Sequence, residues 1–319
     1  MALAVYARGE DGRIALASDA KAALVDPAAV WIDLLNPTAG EEALVESAHG
    51  LEIPSPAERE ALEESSRFYE EGGALFLTPT IITTRDERTV RDTITFVLSR
   101  NLLVTLRHCT PRAFEIGKGR ASVRLGEALN APDVLLLLLE SLVERTADRL
   151  AGAVDAVEDL ALKVTNGRGR TRDLERHLRA LGRLGALAAQ ARDALGSLSR
   201  LARFASAVAG RHKLPPDRLD VLARDIDDLE LQADGLTTDV NFLLDAALGL
   251  VATRQNDAMK ATAGATLLFL PPTLIASIFG MNFEHMTVFR EPLGGWLAVA
   301  GMAASAVLIG IVAWWRRWL

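Results

Sequence analysis

Hydrophobic and polar positions along the chain fall into successive regimes, each predicting a different kind of element. Over the first 110 residues, short apolar runs alternate with polar breaks. Leu3–Ala7, Val30–Leu34, Leu75–Leu77 continuing through Ile82, Thr93–Leu98 and Leu102–Leu106 have the length and side-chain types of strands. Asn36-Pro37 opens a helix near 38–49, and Pro54 to Ser65 reads as another. The last three strands lie close together with short polar connections, which predicts antiparallel hairpins. An α/β sandwich is therefore expected over residues 1–131.

From Pro132 the apolar period becomes that of helices. One helix is predicted over 132–165, and Asn166-Gly-Arg-Gly-Arg170 breaks it. A second runs from Thr171 to about Ala209, before Gly210 and Pro215-Pro216. Together they predict an antiparallel helical hairpin over 132–212. Leu135 to Leu139 is a leucine run too short to span a bilayer. A stalk helix follows over 213–260. Its Leu219, Leu222, Ile226, Leu229, Ala233, Leu236, Val240, Leu243, Ala247 and Leu250 recur at steps of three and four. That spacing is a seam for another helix, in the same chain or in copies of it. From Asp217 to Asn282 only Pro271-Pro272 interrupts the pattern, so a single helix of roughly 100 Å is possible at ~1.5 Å per residue.

Residues 261–281 and 292–315 are uncharged and long enough to cross a bilayer, joined by a loop at 282–291. Arg254 and Lys260 precede the first span, and Arg316 and Arg317 follow the second in the basic tail 316–319. The loop carries only Arg290, offset by Glu284 and Glu291, so both termini are expected in the cytosol, with the hairpin in the plasma (inner) membrane. Trp314, Trp315 and Trp318 would form an aromatic belt at that face.

Composition changes this picture little. Hydrophobic residues make up 50% and aromatics only 5%, which favours Leu- and Ala-rich helices. The net charge of -7 and the lack of a dense basic block in the soluble part argue against nucleic acid as a partner. A lone cysteine, Cys109, excludes an intramolecular disulfide, and the N-terminus lacks the basic start and apolar core of a signal peptide. No phosphate-binding loop, nucleophile elbow or metal-ligand cluster suggests an enzyme or a catalytic cofactor. His108-Cys109 reads as the end of a strand.

The first span has a polar stripe. Asn256, Met259, Thr262, Thr266, Leu270, Thr273, Ser277 and Gly280 follow one another at steps of three or four, on one helical face. Hydroxyls are unfavourable against lipid; lining water or packing against a helix would satisfy them. Pro271-Pro272 frees backbone carbonyls within the span. Two helices cannot enclose a pore, so a channel would need several copies, with Met259 or Leu270 able to gate it by dewetting.

At the outer end of this span stands Phe279-Gly-Met-Asn-Phe-Glu-His-Met286, and the chain ends in Trp-Arg-Arg-Trp-Leu319. Glu63-Glu-Ser-Ser-Arg67, Glu71-Gly-Gly-Ala-Leu-Phe76 and Asn256-Asp-Ala-Met-Lys260 precede it. In these features, over nearly its whole length, the chain resembles the CorA family of divalent-cation channels. The resemblance implies a homopentamer with a cytosolic α/β funnel, a long helical stalk continuing as the pore helix, and a two-helix transmembrane hairpin. It implies Mg²⁺ influx, with Co²⁺ or Ni²⁺ also admitted, and Mg²⁺ as both transported and regulatory ion.

On that resemblance Gly280, Met281 and Asn282 would form the selectivity filter, Asn256 an inner polar ring, Met259 and Leu270 the hydrophobic gate, and Thr273 part of the lining. Asp245 would stand at the cytosolic pore entrance, and Arg316 and Arg317 in a basic ring. Asp220 and Asp225 are candidates for the regulatory metal, with Asp227 and Asp228 equally available. The sequence departs from the family after Met286, where Thr287-Val-Phe-Arg-Glu-Pro-Leu293 follows; Glu284 and Glu291 remain to attract cations. The hairpin tip is basic, with Arg168, Arg170 and Arg172, where relatives are commonly acidic. Two other functions compete: a zinc transporter of the same superfamily, coupled to protons, for which His285 is the one suggestive side chain, and a membrane-anchored scaffold without transport.

Overall fold

Strand Ala29–Leu35 is buried at every position but the last, as a strand covered on both faces must be. Around it the computed structural model, which describes residues 3–9, 14–54, 66–85, 88–123, 129–165, 171–281 and 294–315, builds an eight-stranded sheet. The strands are β1 (Leu3–Arg8), β2 (Ile14–Leu16), β3 (Ala29–Leu35), β4 (Phe68–Glu71), β5 (Ala74–Leu77), β6 (Thr80–Arg85), β7 (Arg88–Ser99) and β8 (Leu102–Arg107). Their order is β2-β1-β3-β8-β7-β5-β4, with β6 also on β7. All pairs are antiparallel except β3 with β8.

The helices are α1 (Ala20–Ala23), α2 (Ala39–His49), α3 (Arg112–Val123), α4 (Ala131–Thr165), α5 (Thr171–His212), α6 (Pro216–Phe279) and α7 (Gly294–Trp315). Helix α2 starts where Asn36-Pro37 predicts, on a capping box between Thr38 and Glu41, and ends at Gly50 with φ +64°. One sheet face buries Val5, Ile32, Leu34, Val97 and Val104 with Ala20, Ala23 and Val45 of α1 and α2. Against the other lie α3, α4 and α5. The expected α/β sandwich is thus a three-layer one.

The run from Leu75 to Ile82 is two strands rather than one. Leu77 pairs Phe96 and Thr80 pairs Thr93, so the register is continuous across the gap. Pro79 cannot donate to the ladder, and the Thr78 hydroxyl instead bonds Thr95 Oγ1 at 3.1 Å. The helix expected over Pro54–Ser65 lies outside the described residues from 55 onward.

A buried polar cluster joins β3, β8 and α3. Arg107 donates from Nε and Nη2 to the two Asp33 oxygens at 2.9 and 2.8 Å, and from Nη1 to the Cys109 carbonyl at 2.8 Å. Thr105 Oγ1 donates to Asp33 at 2.9 Å and accepts from Trp31 Nε1 at 3.0 Å. Lys118 Nζ stands 3.5 Å from Asp33. Every polar atom named here has a partner, the condition under which a buried ion pair is tolerated.

The chain divides into two units, Met1–Leu243 and Leu244–Leu319. Within the first, the opening part of α6 lies on α4 and α5. Leu219, Leu222, Ile226, Ala233, Leu236, Val240 and Leu243 are buried, and Val240 Cγ1 would touch a Cβ built at Gly185 at 3.3 Å. Arg218 grips Glu140 of α4 at 2.9 and 3.0 Å, and Arg192 of α5 reaches Asp234 at 3.1 Å. Of the two partners the seam allowed, its own chain is the one that covers it over these residues.

Candidate functional site

The second unit holds the end of α6 and α7. The apolar window of α6 has mean hydropathy 1.6 and none of it is buried; that of α7 has 2.1 with 6% buried. Leaving some forty residues of this kind against water is untenable at about 25 cal/mol per Å² of apolar surface, so lipid or further copies must cover them.

Helix α6 stays helical through Pro271 and Pro272 to Phe279. The prolines supply no N–H, so the carbonyls of Leu267 and Leu268 lose their usual donors. Because the helix is unbroken, Asn256, Met259, Thr262, Thr266, Leu270, Thr273, Ser277 and Gly280 fall within an arc of about 120° at 3.6 residues per turn. All eight are exposed in the single chain. Met259, Thr262 and Thr266 share one shallow groove with Gln255, Ala258, Ala263 and Leu267.

The threonines need neither water nor a second helix to place their protons. Thr262 Oγ1 donates to the Ala258 carbonyl at 2.9 Å, Thr266 to Thr262 at 3.0 Å and Thr273 to Phe269 at 2.7 Å. This revises the expectation that the hydroxyls demand an outside partner, since each bonds back to its own helix. It has a chemical consequence. A hydroxyl whose single proton is committed to the backbone offers only lone pairs outward. At these three positions the stripe offers acceptors.

At the C-terminal end of α6 Gly280 N donates to the Ala276 carbonyl at 2.9 Å and Met281 N to Ile278 at 3.4 Å. A Cβ on Gly280 would stand 3.1 Å from the Ala276 oxygen, so glycine allows the last turn to close on its own carbonyls. The carbonyl end of a helix carries partial negative charge, which favours a cation. Met281 is half exposed. Asn282, Glu284, Glu291, Arg316 and Arg317 lie outside the described residues, as do His285 and the Arg168 and Arg170 of the hairpin tip.

The acidic candidates are dispersed. Asp220, Asp225 and Asp245 are exposed on α6. Asp225 and Asp228 border a groove with Glu140 and Glu144 of α4. No three His, Cys, Asp or Glu side chains converge on one metal position among the described residues. Leu231 and Phe242, 74% and 70% exposed, were not singled out by the seam pattern. Eleven residues apart, they share a face roughly opposite the buried seam. The signal was available: two large apolar residues among Asp, Gln, Thr and Asn.

Cys109 is buried and its thiol is pushed up to about 12, chiefly by burial with Asp92 adding to it. It is an inert strand-end residue, as the sequence suggests.

An α/β domain feeding a long helix whose apolar end is uncovered, with one more uncovered apolar helix after it, is the architecture of a membrane protein. Residues 26–317 match the family described as CorA-like Mg2+ transporter protein, and the chain belongs to that family. It is 31% identical over 297 residues to the magnesium transport protein CorA of Haemophilus influenzae, covering 91% of this chain and 92% of that one. The complete structure of the CorA magnesium transporter from Methanocaldococcus jannaschii superposes with TM-score 0.75 at 17% identity, over 98% of this chain and 97% of that one. The full-length CmaX protein gives 0.71 at 18% identity, over 99% and 98%.

Proposed function

We propose that this chain forms a channel that admits Mg²⁺ across the membrane, with the α6 stripe as its lining. The acceptor-only hydroxyl face carries the reading. Mg²⁺ sheds its water reluctantly, so a pathway that takes it hydrated avoids that penalty. A hydration shell around a cation points its protons outward and needs acceptors; Thr262, Thr266 and Thr273 present only acceptors there. Membership of the CorA-like family and the magnesium assignment of the Haemophilus influenzae relative support the choice of ion.

The finer parts of the proposal follow from what one chain lacks. A single α6 encloses nothing, so several copies, five by family resemblance, surround the axis. Gly280, Met281 and Asn282 then form the external filter, Asn256 the inner polar ring, and Met259 and Leu270 the dewetting gate. Glu284 and Glu291 draw cations to the mouth; Asp245, Arg316 and Arg317 stand at the cytosolic end. Regulation by cytosolic Mg²⁺ at Asp220 or Asp225 would draw on carboxylates from a second copy, because among the described residues no three gather within one copy. Co²⁺ and Ni²⁺ share the charge and preferred octahedral water shell that this pathway accepts.

The test is flux in proteoliposomes of the full chain. Mg²⁺ entry without a pH gradient is the expected result, lost or redirected in Asn282→Ala with assembly intact. Zn²⁺ entry that needs a proton gradient, without Mg²⁺ entry, would move the assignment to the zinc transporter. No flux of any divalent ion would leave the scaffold.

A further inference from the structure

Between β6, the start of α3, and helices α4 and α5 lies a cavity of about 250 Å³ that ion conduction does not use. Its polar lining includes Thr83, Thr84, Thr110 and Thr146 with Arg112, Arg145 and Arg149. Three arginines thus line one space, and their counter-charges among the described residues are few. Arg149 is half-buried and, among the described residues, bonds neutral oxygens, the Thr83 carbonyl at 3.2 Å and Thr84 Oγ1 at 2.6 Å. Arg112 makes no ion pair among the described residues. Arg145 pairs with Asp148 at 3.2 Å, but that carboxylate side chain is 66% exposed, and the Arg145 Nε is buried without a hydrogen-bond partner. The nearby Asp92 is already held by Thr83 Oγ1 at 2.9 Å and Arg85 at 3.3 Å.

Burial and the neighbouring Arg145 both push the Arg149 pKa down, the signature of a cation without a matching anion. Arg112 and Ala113, in the first turn of α3, both line the cavity. Helix starts favour anions through their unsatisfied N–H groups. The loop that places them is fixed, because Arg107 holds the Cys109 carbonyl at 2.8 Å. Donors therefore approach from β6, α3 and α4. A planar carboxylate matches one guanidinium fork, whereas a tetrahedral oxyanion can accept from several directions. The volume is several times the roughly 30 Å³ share of one water molecule.

We propose that this cavity binds a phosphate group, carried by inorganic phosphate or by a small phosphate ester. The test is calorimetric titration of the detergent-solubilised full chain, freed of divalent ions with chelator, at constant ionic strength. Sodium phosphate and glycerol phosphate are the two probes, and sodium chloride is the control. Saturable binding of one phosphate per chain, absent with chloride, is expected. Tighter binding of glycerol phosphate assigns the ester as the source; tighter binding of inorganic phosphate assigns the free ion. Arg145→Gln should weaken binding roughly tenfold or more, the ratio for losing one charge-assisted hydrogen bond. Arg149 braces β6, so its substitution risks the fold; Arg112→Gln removes a side chain with no such duty and should weaken binding as well. Absence of saturable phosphate binding, or affinity unchanged in both Arg112→Gln and Arg145→Gln, would overturn the proposal.

Discussion

Replacing Arg107 with Met tests how the sheet of the first unit is held together. The guanidinium is 3% exposed and the Asp33 side chain 2%, so the substitution leaves a carboxylate that water cannot reach. Breaking a buried pair from one side typically costs about 3–5 kcal/mol. Two local features move the figure in opposite directions. Lys118, 3.5 Å from Asp33 and 21% exposed, remains as a partial counter-charge. Against that, the stacking of Arg107 4.8 Å from the Phe114 ring centroid is lost as well. A destabilisation of about 3–4 kcal/mol is the balance of these terms. At roughly 2–4 °C per kcal/mol for a domain of this size, the midpoint should fall by about 6–15 °C.

The assay is tryptophan fluorescence during heating of the full chain in detergent, since Trp31 donates to Thr105 within the same cluster. Arg91→Gln is the control: its pair with Asp193 has side chains 57% and 54% exposed and should matter by less than about 1 kcal/mol. The double variant Asp33→Leu with Arg107→Met should recover much of the loss, because no charge is then stranded. Burial pushes the Arg107 pKa down, but the hydrogen bonds and charge of Asp33 push it up by more, so the net direction is upward. Stability from a raised base is present below the unfolded pKa and lost only as pH passes the folded one, so the difference should be flat between pH 6 and 10. An Arg107→Met midpoint no lower than that of Arg91→Gln would refute the reasoning.

Four further outcomes follow. Leu236→Ala, at a seam position 2% exposed, should destabilise by about 2–5 kcal/mol without changing oligomer mass. Phe242→Glu, on the opposite face, should do the reverse, lowering oligomer mass in native mass spectrometry while leaving the fold of the chain intact. Thr262→Val with Thr266→Val keeps side-chain volume but removes two acceptors, and should cut Mg²⁺ flux severalfold with assembly unchanged. His49 is held below the ordinary value of 6.5 by burial, partly countered by the Leu24 backbone, so its contribution to stability is present above that value and declines as pH falls below it; His49→Gln should flatten that limb of the thermal-melting profile.

The strands and long helices were legible because their signal is periodic and local. What escaped has physical causes that periodicity does not carry. Helix α3 holds Gly117 and Gly119, which read as breakers. In the fold, a Cβ at Gly117 would stand 2.8 Å from Leu138 Cδ2, so glycine there lets α3 lie close on α4. Strands β2 and β4 are short, and the Phe-Tyr-Glu-Glu of β4 lacks apolar alternation; antiparallel pairing with β5 makes it a strand all the same. The seam of α6 was legible as a seam, but its partner was not, because three-four spacing fits any helix. Charge and size decide it: Arg218 on Glu140, Arg192 on Asp234, and Gly185 beneath Val240 make the match within the chain.

That outcome relocates the question of assembly. With the seam used inside each chain, the assembly proposed above needs other surfaces, and Leu231 and Phe242 are large exposed apolar residues on the face of α6 away from the seam. In the second unit the same helix exposes its whole apolar window, so there the discriminating feature is polarity rather than hydrophobic area. Bonded back to the carbonyls of Ala258, Thr262 and Phe269, the three threonine hydroxyls are compatible with lipid as donors. Their remaining lone pairs accept from no donor among the described residues. A lipid-facing stripe would gain nothing from alignment of those acceptors; a hydrated cation would meet one at successive turns. The Thr262→Val, Thr266→Val pair therefore separates the two: normal flux would make the stripe a packing face, and a severalfold loss with oligomer mass unchanged would make it the lining.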